Sequence, residues 1–150
     1  MIYRLLEQLE DADLPVIRSV YRHPSVSRFI GIDENHYWQY VTEADNVWFY
    51  KVLEKDYLVA TVHLELSNRI LYMSIVVLPE YRNRGFGTRI LDDIKSRKLL
   101  HAFDEIRVSI DEDNAASLKL FEKMGFACTG RDEKLKEFLL TLSDKNQNEA

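Results

Sequence analysis

Two arginines and two glycines stand at a spacing suited to binding a phosphate. Arg82 and Arg84 precede Gly85 and Gly87, and all four follow an apolar, β-branched run that ends at Pro79. Such a run predicts a buried strand, and proline ends it because proline cannot donate to a sheet ladder. Glycine lets the backbone approach a ligand closely, and the first turn of a helix offers unpaired N–H groups and the positive end of its dipole. This segment therefore predicts a phosphate or pyrophosphate site.

The composition limits what kind of protein can carry this site. The chain has 150 residues, and 46% of them are hydrophobic, which is enough for one domain with one core. We expect that domain to span 1–142 and the polar segment 143–150 to be disordered. The formal net charge of −5 argues against a nucleic-acid partner. One cysteine excludes an internal disulfide and a multi-cysteine metal site, so we expect no metal. No membrane span or signal pattern is visible, and we expect a cytoplasmic protein.

Hydrophobic periodicity and turn signals place the remaining elements. Leu14, Ile17 and Tyr21 mark one face of a helix that Asp13 is expected to cap. The segment 25–33 is expected to be irregular. The predicted strands cover 1–8, 46–54, 57–66, 70–78, 105–110, 127–130 and 136–142, and the other predicted helices cover 34–43, 87–102 and 115–124.

The connections between these elements predict the fold class. Tight turns join the strands over 46–54, 57–66 and 70–78 into an antiparallel meander. The strand over 70–78, the helix after it and the strand over 105–110 form a crossover, which implies parallel pairing. The fold class is therefore α/β, with a mixed and mostly antiparallel central sheet flanked by helices.

Two motifs together resemble one family. The phosphate loop lacks the Gly-Lys-Ser/Thr ending of a Walker A loop and fits the three-glycine Rossmann fingerprint poorly. It reads Arg-x-x-Gly-x-Gly from Arg82 to Gly87. A second stretch, from Asn114 to Phe126, has Asn, a small residue, an apolar-aromatic pair and Glu-Lys-x-Gly-Phe. In this order, with one helix and one strand between them, the motifs resemble the GCN5-related N-acetyltransferase (GNAT) family.

The resemblance implies a site for acetyl-CoA as co-substrate in a sheet that is splayed at the strand before the loop. The backbone of Val76, Val77 and Leu78 would lie beside the pantetheine arm, and an N–H near Val77 would polarise the thioester carbonyl. Asn114 would bind the pantetheine or a water, although capping of the helix over 115–124 explains this residue equally well. The helix face from Ser117 to Phe121 would pack along the cofactor. The pyrophosphate would be wrapped by Arg82, Asn83, Arg84, Gly85, Phe86, Gly87 and Thr88.

Phe121 departs from the family pattern. The family often has tyrosine here, whose phenol can protonate the departing thiolate, and phenylalanine cannot do so. Releasing a thiolate of pKa near 8.5 at neutral pH costs only about 2 kcal/mol. Losing the acid should therefore slow the reaction without abolishing it, unless Tyr81 or Tyr72 replaces it.

His63 and Glu65 are the best candidates for a general base, because they share one face of the strand next to the loop strand. A lysine-like amine of pKa near 10.4 costs roughly 4.6 kcal/mol to neutralise at pH 7, and an α-amine costs only about 1 kcal/mol. A base is therefore valuable for the first and optional for the second. The alternative is that this face is partly solvated, or that both groups pair with Arg69 or Lys51.

These residues lead to the hypothesis of an N-acetyltransferase in which a primary amine of a small molecule or peptide attacks acetyl-CoA directly. Alternatives are a non-catalytic acyl-CoA-binding or regulatory module, favoured by Phe121, and an unrelated nucleotide-binding domain.

The cluster His36, Tyr37, Trp38 and Tyr40 stands where the family builds its acceptor wall, although an aromatic stripe at helical spacing usually faces the core. Homodimers are common in the family, so a homodimer is one expectation.

Overall fold

The computed structural model describes residues 1–142, and the tail predicted to be disordered lies outside the described residues. None of the helices within 1–142 is long and apolar enough to cross a membrane. The elements in chain order are β1 (Ile2–Leu5), α1 (Leu14–Arg22), α2 (Pro24–Ser27), α3 (Tyr37–Glu43), β2 (Val47–Glu54), β3 (Tyr57–Ser67), β4 (Ile70–Val77), a 3-10 turn (Pro79–Tyr81), α4 (Phe86–Lys95), β5 (Glu105–Asp111), α5 (Ala115–Lys123), β6 (Ala127–Asp132) and β7 (Leu135–Thr141).

The described strands form one mixed sheet in the order β1-β2-β3-β4-β5-β7-β6. β2 pairs antiparallel with β1 and with β3, and β7 pairs antiparallel with β5 and with β6. β4 and β5 are parallel, with Ile70 opposite Glu105 and Tyr72 opposite Arg107. This parallel pairing covers three residues, and β4 continues to Val77. The predicted fold class, a mixed α/β sheet flanked by helices, is confirmed.

Residue contacts divide the chain into two compact units. The first comprises Met1–Glu65 and Ser74–Phe86, and the second comprises Leu66–Met73 and the chain from Gly87 onward. Apolar side chains of α1, α3, β2 and β4 form the core of the first unit, among them Ile17, Trp38, Phe49 and Val76. The buried residues of the second unit include Ile90, Ile94, Phe103, Ile106 and Phe138. The assignment of 1–142 to one domain stays a prediction.

The predicted start of α1 is correct in position but wrong in its chemistry. Leu14, Ile17 and Tyr21 form its buried face, as the spacing predicts. Asp13 is the N-cap residue, but its side chain makes no capping hydrogen bond. It accepts instead from Lys51 Nζ at 3.0 Å, and Asp11 accepts from the same nitrogen at 3.0 Å. The Asp13 carboxylate was expected to bind backbone N–H groups of α1, and it binds the ammonium group of Lys51 on β2 instead.

Other predicted boundaries also differ from the structure, among them the end of the first strand, which was expected at residue 8 and lies at Leu5. The helix expected over 87–102 ends at Lys95, because Arg97 adopts a left-handed conformation with φ of 59°. The helix expected from 34 begins at Tyr37. The segment expected to be irregular contains α2, which starts at Pro24 because proline suits the first helical position.

Replacing Gly125 by alanine should destabilise the protein by about 1 kcal/mol, because Gly125 has a φ of +95° that residues with a Cβ rarely adopt. The added Cβ would lie 3.7 Å from Leu140 Cδ1, an ordinary contact, so the cost is conformational. Denaturant unfolding measures the difference. Gly130→Ala is the control, because its φ lies outside the left-handed region and its Cβ would meet nothing within 4 Å. Equal losses in both variants would contradict the conformational explanation.

Candidate functional site

The phosphate loop has the backbone geometry that its glycines predict. The 3-10 turn ends at Tyr81, Gly85 has a φ of +83°, and α4 begins at Phe86. A Cβ added to Gly85 would meet no heavy atom within 4 Å, so open space lies at this point of the loop. The guanidinium carbon of Arg84 lies 5.4 Å from the centroid of the Tyr81 ring. Among the described residues, no carboxylate forms an ion pair with Arg82 or Arg84, and their contact with a pyrophosphate stays a prediction.

The strand before the loop directs one amide away from the meander. The N–H of Leu78 donates to the carbonyl oxygen of Val59 on β3 at 2.9 Å. Successive amides of a strand point to opposite edges, so the N–H of Val77 points away from β3. Val76 is buried in the core of the first unit, and Val77 is half-buried. The predicted role of Val77 requires this orientation of its amide.

α5 begins with the cap that the second motif predicts. The side-chain oxygen of Asn114 accepts from the N–H of Ser117 at 3.2 Å. Within the second unit, a Cβ on Gly87 would lie only 3.2 Å from Leu120 Cδ2, so glycine permits the close contact there. The Phe121 ring is buried and packs edge-to-face against Phe126, with 5.0 Å between the ring centroids. Capping by Asn114 is confirmed, and its predicted contact with the cofactor stays a prediction, as do those of Ser117, Thr88 and Phe121.

His63 and Glu65 lie together and bond to each other. His63 Nε2 is 2.8 Å from Glu65 Oε1, and His63 Nδ1 is 2.7 Å from the Tyr37 hydroxyl. The alternative that this face is partly solvated holds for Glu65, whose side chain is 35% exposed. The two cations considered as partners have other carboxylates. Lys51 bonds to Asp11 and Asp13, and Arg69 bonds to Asp104 at 2.7 and 2.9 Å.

The charge state of His63 follows from its surroundings. Burial lowers the pKa of His63 below its usual 6.5, and the carboxylate of Glu65 opposes this shift without outweighing it. The imidazole is therefore neutral at pH 7 and has one N–H and one lone pair. Both ring nitrogens are engaged, whereas the Glu65 side chain is 35% exposed. Glu65 is consequently the more accessible member of the pair.

Two further hydroxyl groups, those of Thr61 and Tyr21, lie close to this arrangement, and the sequence predicted neither of them for the site, whereas Tyr37 was expected in the acceptor wall. We call Thr61, Tyr21 and Tyr37 the hydroxyl row. Tyr21 Oη is 2.9 Å from Thr61 Oγ1, and the rings of Tyr21 and Tyr37 pack with centroids 6.1 Å apart. Burial raises the pKa of both tyrosines, so both remain protonated. No local pattern could reveal the row, because 40 residues separate Tyr21 from Thr61 and 26 separate Tyr37 from His63.

α3 distributes its aromatic side chains between the core and the site. Trp38 is 2% exposed, which confirms its interpretation as a core residue, and its Nε1 has no hydrogen-bond partner within residues 1–142. Tyr40 is 44% exposed. Partial burial raises the pKa of Tyr40, and so does its hydrogen bond to Glu65. His36 is exposed and lies 3.8 Å from Asp33, so it does not join this cluster.

Comparison with known proteins identifies the family to which the chain belongs. The model of the acetyltransferase (GNAT) family matches residues 5–126. The chain belongs to this family and is an acetyltransferase enzyme. None of the curated proteins compared with the chain matches it.

Solved structures share the fold. A proposed phosphinothricin N-acetyltransferase is 23% identical with a TM-score of 0.75, over 95% of this chain and 99% of that one. Spermidine N-acetyltransferase from Vibrio cholerae, in complex with CoA and spermine, is 17% identical with a TM-score of 0.75, over 93% and 94%. The Campylobacter jejuni N-acetyltransferase PseH, in complex with acetyl coenzyme A, is 12% identical with a TM-score of 0.74, over 95% and 100%.

The lowered pKa of His63 should make stability depend on pH. As the pH falls below the usual pKa of 6.5, the unfolded chain binds a proton at this residue before the folded chain does, so the free energy of unfolding should fall as the pH drops. Denaturant unfolding at pH 7 and pH 5.5 measures the slope. His63→Gln should remove part of it, and His101→Gln, at an exposed histidine, should not. An unchanged slope in His63→Gln would show that His63 is not held neutral.

Proposed function

We propose that this enzyme transfers the acetyl group of acetyl-CoA to a primary amine of a small molecule or peptide by direct attack. The Glu65 carboxylate takes one proton from the ammonium group and releases it to water. The neutral amine nitrogen then bonds to the thioester carbonyl carbon, the carbon–sulfur bond breaks, and the nitrogen loses its second proton to Glu65. The thiolate takes a proton from water. The observation that carries the proposal is the Glu65 carboxylate, which accepts from His63 at 2.8 Å and remains partly exposed.

Residues of the loop support acetyl-CoA as the donor. Arg82, Arg84 and the first-turn amides of α4 provide positive charge and N–H donors for a pyrophosphate. The Val77 N–H would donate to the thioester carbonyl oxygen, where negative charge develops. Bound acetyl-CoA supplies an activated acyl group with a good leaving group. PseH with acetyl coenzyme A supports this donor for a chain of the same fold.

An amine acceptor explains why a carboxylate stands on β3. An ammonium group is the form of most amines at pH 7, and a carboxylate both attracts it and accepts its proton. Phe121 offers no proton for the thiolate, but the cost of about 2 kcal/mol makes an acid unnecessary. A spermidine N-acetyltransferase of this fold, with spermine bound, is one example of an enzyme for amines.

Arg84→Ala should weaken CoA binding about 10-fold, because a charge-assisted contact to a phosphate contributes on the order of 1.5 kcal/mol. Isothermal titration measures the affinity. Arg4→Ala is the matched control, since Arg4 is also exposed and lies on β1. The same variant should use S-acetylpantetheine, which has no pyrophosphate, as well as the wild type does. An equal loss with both donors would contradict a pyrophosphate contact.

Glu65→Gln should lower kcat/KM for a lysine-like amine about 10²-fold, because glutamine cannot accept the proton. The loss should be smaller for an α-amine, which is more readily neutral at pH 7. Release of free thiol from acetyl-CoA across an amine panel measures both, and the KM for acetyl-CoA should stay unchanged. Glu7→Gln, at an exposed glutamate, is the control. CoA binding without turnover of any amine would overturn the proposed function.

A further inference from the structure

We propose that Tyr37 is a positioning residue, which fixes the tautomer of His63 so that its Nε2–H holds the Glu65 carboxylate. This inference rests on the proposed function, since it gives Glu65 the role of the base. Tyr37 lies on α3 and His63 on β3, and 2.7 Å separate the Tyr37 hydroxyl from His63 Nδ1.

The direction of the hydrogen bonds follows from what each group can do. An ionised carboxylate only accepts, so His63 Nε2 must carry the proton that it shares with Glu65 Oε1. A neutral imidazole then has a lone pair at Nδ1, and the Tyr37 hydroxyl must donate to it. The Tyr21 hydroxyl bonds to Thr61 at 2.9 Å, and the Tyr21 ring packs beside the Tyr37 ring with centroids 6.1 Å apart. The Tyr37 hydroxyl and the Nε2–H of His63 thus both donate in the direction of Glu65.

The burial of Thr61 and Tyr21, which form the end of the hydroxyl row farthest from Glu65, argues for positioning and against proton conduction. Thr61 is 1% exposed and Tyr21 is 3% exposed, so a proton sent along the row would reach no solvent. Glu65 is itself 35% exposed and can release a proton directly to water. The row therefore stabilises one arrangement of hydrogen bonds, and each bond polarises the next.

The groups facing His63 are consistent only with a neutral ring whose Nε2–H donates to Glu65 and whose Nδ1 accepts from Tyr37. They are Glu65 on its own strand and Tyr37 and Tyr40 on α3, with Tyr21 of α1 packed beside Tyr37. Phe49, opposite His63 on β2, offers no polar atom. None of these neighbours carries a positive charge, so the Nε2–H of His63 is the proton donor to Glu65.

Nitrogen NMR of the full-length protein with labelled histidine tests the inference directly. The chain has four histidines, and the three besides His63 are exposed and serve as internal references. At pH 7.5 the wild-type protein should show His63 as the neutral Nε2–H tautomer. A neutral Nδ1–H tautomer, or an imidazolium at that pH, would overturn the proposal.

Tyr37→Phe should then raise the pKa of His63, because a donor to Nδ1 favours the neutral ring. It should also lower kcat about 5-fold, in the range of one net hydrogen bond, with the KM for acetyl-CoA unchanged. Phenylalanine keeps the ring contacts of Tyr37 with Trp38 and Phe49, so the fold should persist. Tyr57→Phe, at an exposed tyrosine on β3, is the matched control.

The outcomes separate this inference from the proposed function. An unchanged titration of His63 or an unchanged kcat in Tyr37→Phe would overturn the positioning role of Tyr37 and leave amine acetylation standing. Full activity of Glu65→Gln would instead overturn the base that both depend on. The expected tautomer together with a loss of kcat confined to Tyr37→Phe would establish the proposal.

Discussion

The alternation of side chains along β3 is the constraint on which the candidate site depends. Thr61, His63 and Glu65 occupy every second position, so they lie in a line on one face of the sheet. α1 and α3 contribute tyrosines to the same cluster, and the line passes from a fully buried hydroxyl to a half-exposed carboxylate. A shift of one residue in the register of β3 would turn all three polar groups to the opposite face. The pairing of β2 with β3, which places Phe49 opposite His63, therefore also fixes the chemistry of the site.

The buried polar groups of this line satisfy one another, and this accounts for their presence in a core. An unpaired buried hydroxyl or imidazole costs on the order of 1–3 kcal/mol, whereas paired groups cost little. Burial disfavours charged groups, and it therefore favours the neutral imidazole of His63 and the protonated hydroxyls of Tyr21 and Tyr37. Charge therefore enters only at Glu65, where the line reaches solvent. The buried members of the line are therefore neutral, and the one charged member is the one that reaches solvent.

Local sequence signals predicted the elements and the two motifs. The end of α4 and the bonding partners of several polar side chains depend on contacts between residues distant in sequence. The apolar faces of α1 and β3 and the cap at Asn114 could be predicted, because each depends on residues within one turn or strand. The end of α4 could not, since Arg97 adopts a conformation typical of glycine and its guanidinium donates to the Phe103 carbonyl at 3.1 Å. Tyr21 could not be assigned to the site, and the hydrogen bond of Tyr37 to His63 could not be predicted, because the partners lie on a strand distant in sequence. The same holds for Asp13, which bonds to Lys51 and not to the backbone that follows it.

Trp38 has a consequence for observing this enzyme. Its indole is buried edge-on against Tyr21 and Tyr37, with ring centroids 5.1 and 4.9 Å apart, and its Nε1 meets no acceptor within residues 1–142. An indole in such apolar surroundings fluoresces at shorter wavelength than one in water. The chain has two tryptophans, and the other, Trp48, is only partly buried. Trp38 thus makes the emission spectrum an intrinsic optical reporter of α3, the helix that carries Tyr37 and Tyr40 to the carboxylate.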